Sequence, residues 1–316
     1  MQTDLNREAY TACRLCPRAC NADRIAGKRG FCGADAQLRV ARAALHYWEE
    51  PCISAAEGSG AVFFSGCNLG CVFCQNYEIS HLTKEATWIV VSPQRLAEIF
   101  FSLQDQQANN INLVTADIHI PAVAAAIAIA KAQGLKIPVI FNTSSYVTVD
   151  SLRMLEGLAD VYLPDFKFYS SVKAGKYLHA ADYPQTARRA IAEMVRQAGE
   201  CSFDANGKIQ KGVIVRHLLM PHGLLEAKMI VKELYRTYGD AVYLSLMNQY
   251  TPIRPHLTAY PELHKGPTEA EYAELIEYAL ALGVKNAYMQ EGGTVSESFI
   301  PAFDGTGVES GEGTLV

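Results

Sequence analysis

Short apolar runs rich in β-branched residues alternate with amphipathic stretches along most of the chain, and this alternation restricts the fold more than any other feature. Strands separated by helices pair in parallel through crossover connections. The pattern therefore predicts an α/β fold, with six or seven units forming a barrel or part of one. The predicted strands are residues 61–66, 111–115, 137–142, 161–168, 212–219, 241–247 and 286–290.

Several helix ends are marked by capping residues. Ser92 precedes Pro93, which is the pattern of an N-cap followed by proline in the first helical position. Thr268 and Glu271 form a capping box, and Gly283 follows the apolar residues of the same stretch. These positions predict helices beginning near 93 and 269.

Composition excludes several classes of protein. Of 316 residues, 49% are hydrophobic and 19% are charged, which excludes a disordered polymer. The net charge of -5 gives no reason to expect a nucleic-acid partner. The first ten residues lack the apolar region of a secretory signal, and the most apolar run, 121–130, is shorter than the ~20 residues that span a bilayer. We expect a cytoplasmic protein without a membrane partner.

Nine cysteines are many for a cytoplasmic chain, where disulfides are rare, so metal binding or catalysis is the leading interpretation. Seven of them fall in two clusters, while Cys52 and Cys201 stand apart and are expected to be bystanders.

One cluster follows the first predicted strand with the spacing Cys67-x3-Cys71-x2-Cys74. Gly66 and Gly70 allow the backbone to curl so that three thiolates converge. Thiolates are soft ligands that suit iron–sulfur clusters, zinc or Cu(I). Three ligands would leave one iron of a [4Fe–4S] cluster open to another molecule. A structural zinc with a distant fourth ligand and three unrelated buried thiols are the alternatives.

The string from Cys67 to Asn76, with Phe73 before the last cysteine, resembles the radical S-adenosylmethionine (SAM) superfamily and its pyruvate formate-lyase activating enzyme branch. The chain resembles still more a subgroup of iron–sulfur proteins related to those activating enzymes. The stretches that carry this further similarity are 13–33, 47–76, 160–168, 215–221 and 244–252.

The resemblance implies a partial (β/α)6 TIM-like barrel that holds a [4Fe–4S] cluster on Cys67, Cys71 and Cys74. SAM would bind the open iron and be cleaved reductively to a 5′-deoxyadenosyl radical, which abstracts a hydrogen atom. A flavodoxin or a ferredoxin would supply the electron.

The resemblance also implies contacts to SAM. Phe73 matches an aromatic residue near the adenine, and Asn76 completes the activating-enzyme string. Asp165 and Lys167 match an Asp-x-Lys pattern in which the lysine contacts the SAM carboxylate, as a cation would in a dry site. The alternative for Lys167 is a solvent-facing strand end.

The second predicted strand departs from the family pattern. Where the superfamily usually has Gly-Gly-Glu, which binds the SAM amino group, this chain has Thr115, Ala116 and Asp117. Asp117 is the replacement acceptor that we expect. Arg216 and His217 on the fifth strand are candidate contacts to SAM or substrate, although a histidine such as His217 is equally often structural.

The N-terminal cluster offers four thiols among interleaved arginines and lysines. Nearby cations would offset the charge of a metal site with four thiolates. The spacing matches neither a common zinc ribbon nor a bacterial ferredoxin, so zinc and an auxiliary iron–sulfur cluster both remain open. The candidate ligands are Cys13, Cys16, Cys20 and Cys32.

These observations divide the chain into a cysteine-rich element with its linker (1–58), a barrel (59–290) and a Gly-rich tail (291–316) that is either a lid or a loose end. In the linker, Glu49 and Glu50 are expected to lie in water.

The function indicated is that of an activase that takes a hydrogen atom from a backbone glycine of a glycyl radical enzyme. Radical modification of a peptide or small molecule, an iron–sulfur electron carrier and a zinc-stabilised binding module are the alternatives.

Overall fold

The computed structural model describes residues 8–82, 86, 88–253, 257–290 and 300–309. The strands are β1 (Leu38–His46), β2 (Ser59–Phe64), β3 (Ile89–Val91), β4 (Ile111–Val114), β5 (Val139–Thr143), β6 (Val161–Pro164), β7 (Ser202–Phe203), β8 (Ile209–Leu218), β9 (Tyr243–Met247) and β10 (Ala287–Met289). The α-helices include α1 (Pro51–Ser54), α2 (Tyr77–Ser80), α3 (Pro93–Asp105), α4 (Ile120–Ala132), α5 (Val149–Arg153), α6 (Ser171–Leu178), α7 (Tyr183–Ala198), α8 (Leu224–Tyr238) and α9 (Glu269–Leu282).

The strands form a ten-stranded sheet in the order β10-β9-β8-β6-β5-β4-β2-β1-β3, with β7 added beside β8. The pairings from β2 through β4, β5, β6, β8 and β9 to β10 are all parallel. Each predicted strand corresponds to one of these, so the predicted α/β fold with a parallel sheet is confirmed. In the described residues no pairing joins β10 to β3, and closure into a barrel stays a prediction.

Strand β1 lies in the stretch that sequence reasoning assigned to the N-terminal element. It pairs antiparallel with both β2 and β3. The arginines of this strand make it hard to predict from the sequence. Arg39 is buried and bonded to Asp35, and Arg42 is paired with Asp304 at the other end of the chain. Sequence analysis predicts that a charged residue is exposed, unless the distant residue that pairs with it is known.

The two faces of the parallel strands bury different sets of residues, as the period of two requires. Val139, Tyr162 and Val213 belong to the large core that includes the helices. Their neighbours Ile140 and Ile214 face the other way, into a smaller cluster with Ile53 of α1. Helix α1 therefore covers the second face near the amino ends of the strands.

The predicted helix ends are confirmed. The Ser92 side chain accepts a hydrogen bond from the Arg95 N–H at the start of α3. Thr268 and Glu271 form the capping box of α9, which ends at Gly283 in the left-handed region. No helix in the described part of the chain is long and apolar enough to span a bilayer.

The described part of the predicted tail, residues 300–309, is bound to the body of the protein. The Gly305 N–H donates to the Ala41 carbonyl, and the Ala43 N–H donates to the Thr306 carbonyl, so this segment lies along β1. Phe303 is buried with its ring edge-on to Phe63, 5.5 Å between centroids. The expectation of a loose end is wrong for this segment, while 291–299 and 310–316 lie outside the described residues.

Candidate active site

The loop after β2 carries the three clustered cysteines. Gly66 has φ 92° and Gly70 has φ 65°, values that glycine adopts without strain. A Cβ on Gly66 would lie 2.8 Å from Ile118 Cδ1, so a side chain at this position would also have to displace the end of that isoleucine. The loop is held by hydrogen bonds from the Gly66 N–H to the Ile79 carbonyl and from the Val72 N–H to the Tyr177 carbonyl.

Cys67, Cys71 and Cys74 line one cavity of about 230 Å³ at the carboxyl ends of the strands. Burial raises the pKa of each thiol, that of Cys67 to about 11. The charge of Lys167 opposes this rise at Cys71 and Cys74. Because a metal binds the thiolate, loading this site would release protons, and Lys167 would favour that release.

Strand alternation brings three predicted polar residues to the same cavity. Asp165 and Lys167 continue the inward face of β6, and Arg216 lies two residues after Ile214 on the inward face of β8. The inward face is thus apolar near the amino ends and polar near the carboxyl ends, as expected where parallel strands end at a site.

These side chains form a half-buried ion-pair network. Arg216 Nε lies 3.0 Å from Asp165 Oδ1, and Arg216 also donates to Asn142 Oδ1 at 2.7 Å. Lys167 Nζ donates to the other oxygen of Asp165. Burial raises the pKa of Asp165, but Lys167 and Arg216 outweigh it and hold that pKa below its usual range. The Lys167 side chain is only 21% exposed, so it is not a solvent-facing strand end.

Glu49 is a cavity residue that sequence reasoning missed. Its Oε2 lies 3.3 Å from Arg216 Nη1, and its Oε1 accepts a hydrogen bond from Asn112. Its neighbour Glu50 is buried, and burial raises the pKa of that carboxyl. The expectation that both glutamates lie in water is wrong. Pro51, which starts α1, signals only that a helix begins there, and nothing local indicates that the helix turns the glutamates inward.

Phe73 and Asn76 also line the cavity. The Phe73 ring is edge-on to Phe168, with 5.9 Å between centroids. Asn76 precedes α2, and its carbonyl accepts hydrogen bonds from the first turn of that helix. Both residues therefore present polar or aromatic surface beside the cysteines.

Asp117 and His217 are outside the cavity lining. Asp117 accepts a hydrogen bond from the Thr143 hydroxyl, and burial raises its pKa to about 6. His217 points to the face opposite Arg216, where its Nδ1 is 2.8 Å from the Phe166 carbonyl and burial lowers its pKa to about 4. Thr115 lines the cavity instead. Its φ of 60° is strained for a β-branched residue and preserves a conformation typical of glycine.

The second cysteine set is also gathered by the fold. Cys13, Cys16, Cys20 and Cys32 line one small cavity together with Asn68 of the other cysteine loop. Arg18 joins the two regions, because its guanidinium donates to the carbonyls of Asn68 and Leu69.

The chain matches the model of the radical SAM superfamily over residues 61–222. It belongs to that superfamily and is a radical SAM enzyme. Proteins of this family use a [4Fe–4S] cluster and SAM, and membership decides against a mere electron carrier or a zinc-stabilised binding module.

A protein of Methanocaldococcus jannaschii described as uncharacterised is 28% identical over 287 residues, which cover 88% of this chain and 77% of the relative. Among solved structures, Streptococcus suis SuiB bound to S-adenosylmethionine matches with a TM-score of 0.50 at 12% identity, over 72% of this chain and 49% of SuiB. SuiB bound to the precursor peptide SuiA gives a TM-score of 0.49 at 13% identity, over 72% and 47%. The chain spans about half the length of these solved structures.

The residues present fit the cofactors of the family. Three thiols, a half-buried lysine and a half-buried aspartate line the same cavity. Soft sulfur ligands suit iron, and the cation suits the carboxylate of SAM.

Proposed function

We propose that Cys67, Cys71 and Cys74 hold the [4Fe–4S] cluster and that one iron is left for SAM. The observation that carries this proposal is that all three thiols line the cavity that contains Asp165 and Lys167. When bound, the cluster and SAM supply a 5′-deoxyadenosyl radical, and the protein supplies their binding, orientation and shielding from water.

The cavity residues have distinct roles in this proposal. Lys167 pairs with the SAM carboxylate, and Asp165 holds the lysine toward the cysteines. Phe73 borders the adenine. The turn at Thr115 takes the place of Gly-Gly-Glu, and its glycine-like φ of 60° supports a contact from the backbone rather than from Asp117. Asn76 and Arg216 are wall residues, and His217 stabilises the strand.

We further propose that the substrate is a polypeptide and that the reaction is activation of a glycyl radical enzyme. The two carboxylates in the cavity wall, Glu49 and Asp165, are paired with cations. The remaining polar groups are uncharged donors and acceptors, which suit backbone amides better than a charged metabolite. They include Gln75, Asn76, Asn142, Ser144 and Gln249.

The segments 1–58, 59–290 and 291–316 remain our proposed division of the chain. Flavodoxin or ferredoxin is the proposed electron donor, because reducing such a cluster requires low-potential electrons.

The test is anoxic incubation of the iron-loaded enzyme with SAM, reductant and a glycyl radical enzyme from the same source. We expect 5′-deoxyadenosine and a glycyl radical signal in electron paramagnetic resonance. Deuterium from α-deuterated glycine in the partner should appear in 5′-deoxyadenosine.

Lys167→Met should lower SAM cleavage strongly. Lys173→Met is the matched control, because Lys173 lies on α6 outside the cavity lining and its side chain is 36% exposed. Cleavage of SAM without a glycyl radical would overturn the activase proposal and favour another peptide or a small molecule. No cleavage by the loaded enzyme would contradict the site itself.

A further inference from the structure

The four N-terminal thiols line a small cavity. Cys20 Sγ accepts a hydrogen bond from the Phe31 N–H at 3.4 Å. A Cβ on Gly30 would lie 2.7 Å from the same sulfur, so this position requires glycine to leave room. The cavity wall is otherwise apolar, apart from Asn68 and two arginines.

The arrangement fits a cluster better than a single ion. Zinc–sulfur bonds of about 2.3 Å would bring four sulfurs to within about 4 Å of one another. Within the described ranges, no three Cys, His, Asp or Glu side chains are grouped closely enough to hold one ion. The four thiols instead line a small void of about 20 Å³. Cys67, Cys71 and Cys74, where the family uses a [4Fe–4S] cluster, are likewise not grouped around a single ion position in the described residues.

The charges around this void suit an anionic cluster. Arg24 is 2% exposed, and its Nη1 lies 3.8 Å from Cys13 Sγ. Residues 8–37 hold five Lys or Arg against three Asp or Glu, although the whole chain has a net charge of -5. Hydrogen bonds and positive charge near the sulfurs stabilise the more reduced state of an iron–sulfur cluster.

The two cysteine sets are neighbours in the structure. Asn68 follows Cys67 directly and lines the N-terminal cavity. It is 1% exposed, and its side chain donates to the Tyr146 carbonyl at 2.6 Å. An electron could thus pass between the two sites through residues in direct contact.

The opposite side of the N-terminal site reaches the surface. Cys20 is exposed, and Phe31 and Ile25 are 48% and 41% exposed. Lys28 and Arg29 are exposed in the same loop. Exposed apolar side chains and two exposed cations in one loop, beside a redox group, favour docking of an acidic electron carrier.

We propose that Cys13, Cys16, Cys20 and Cys32 hold an auxiliary iron–sulfur cluster through which electrons enter the enzyme. An acidic low-potential flavoprotein or iron–sulfur protein loses one electron to this cluster, which passes it to the cluster on Cys67, Cys71 and Cys74. No bond or proton changes in either transfer. The relay role rests on the proposed SAM-cleaving site, whereas the presence of the cluster does not.

The first test counts metal in anoxically reconstituted full-length protein. The Cys67→Ala/Cys71→Ala/Cys74→Ala variant should retain about four iron and four sulfide per chain, with a reduced cluster signal that SAM does not change. Wild type should hold about twice as much. Zinc alone in the variant, or about four iron plus one zinc in wild type, would overturn the proposal.

The second test compares two reductants. In Lys28→Glu/Arg29→Glu, the ratio of SAM cleavage driven by reduced flavodoxin or ferredoxin to cleavage driven by dithionite should fall about tenfold at low salt. Lys136→Glu/Lys211→Glu makes the same charge change at exposed positions elsewhere and should leave the ratio unchanged. If the ratio of donor-driven to dithionite-driven cleavage is the same in the two double variants, with flavodoxin and with ferredoxin, the proposal that electrons enter at this surface is overturned. Cleavage with dithionite shows separately that the SAM site is intact.

Discussion

The two cysteine loops use the same ligand atom in different surroundings. The loop at 67–74 has its thiols inside a cavity of about 230 Å³ that also holds Lys167 and Asp165. The loop at 13–32 encloses a small apolar void, and one of its thiols, Cys20, is exposed. The first arrangement leaves room for an organic molecule beside the sulfurs, and the second does not.

The difference teaches that the neighbours of a thiol decide its use. In our proposals, the three thiols beside paired charges bind a cosubstrate, while the four thiols beside exposed cations exchange electrons with a partner. The following predictions test that contrast.

The largest effect is expected from the inner cysteines. Cys71→Ala should abolish SAM cleavage driven by dithionite, because the cofactors carry the chemistry. Cys20→Ser should retain most of it, since dithionite can reduce the inner cluster directly. The assay is 5′-deoxyadenosine formation under anoxic conditions, with Cys52→Ala as the control. Equal losses of SAM cleavage in Cys71→Ala and Cys20→Ser would contradict the proposed difference in role between the two cysteine loops.

Each cysteine site also has a nearby arginine, Arg216 on β8 and Arg24 in the N-terminal loop. Arg216→Met leaves Glu49 without its cation and Asp165 with Lys167 alone, and it should lower the free energy of unfolding by about 3–5 kcal/mol. Arg24 donates to the Ile118 and Asp35 carbonyls rather than to carboxylates, so Arg24→Met should cost about 1.5–3 kcal/mol.

Denaturant unfolding of the full-length chain measures both changes. Arg153→Met is the control, because its pair with Asp150 is exposed and should change stability by less than about 1 kcal/mol. A larger loss in Arg24→Met than in Arg216→Met would contradict the assignment of the ion pairs.

Arg18 couples the two loops through the carbonyls of Asn68 and Leu69. Arg18→Lys keeps the charge but loses the forked donor, and the inner site should bind iron about 10- to 100-fold more weakly, as for other outer partners of metal ligands. The measurement is iron retention during chelator challenge. Arg14→Lys, which alters an exposed contact to Asn21, should behave as wild type. Unchanged retention in Arg18→Lys would show that the loops are independent.

The smallest effect concerns the turn at 117–119, which receives the Arg24 hydrogen bond from the outer loop. Because the pKa of Asp117 is raised to about 6, the folded state keeps a proton that the unfolded state releases, and stability falls as pH rises from about 4 to 6. Asp117→Asn should therefore be more stable than wild type at pH 7.5, by about 2 kcal/mol, and similar to it at pH 4.

Unfolding at both pH values checks this, with the exposed Asp150→Asn as the control. A gain of the same size at both values would show that Asp117 does not titrate in this range.

The sequence sufficed for the parallel strands and for the cysteine loops, because both follow from local pattern: alternation in the first case and spacing in the second. Because neighbouring residues of a strand point to opposite faces, Arg216 faces the cavity and His217 cannot face it. Glu49 and β1 were not predictable, because their charges are neutralised by residues far along the chain, Arg216 and Asp304.

Helix α1 covers one end of the inner face, where Ile53 is packed among Ile140, Val161 and Ile214. In the part of the chain that the structure describes, the cysteines therefore lie toward the opposite end of that face. SAM, methionine, 5′-deoxyadenosine and the substrate would then share one entrance to the active site. The products would have to be released before the next turnover can begin. Turnover would then be slowed by its own products, in proportion to how tightly they are held.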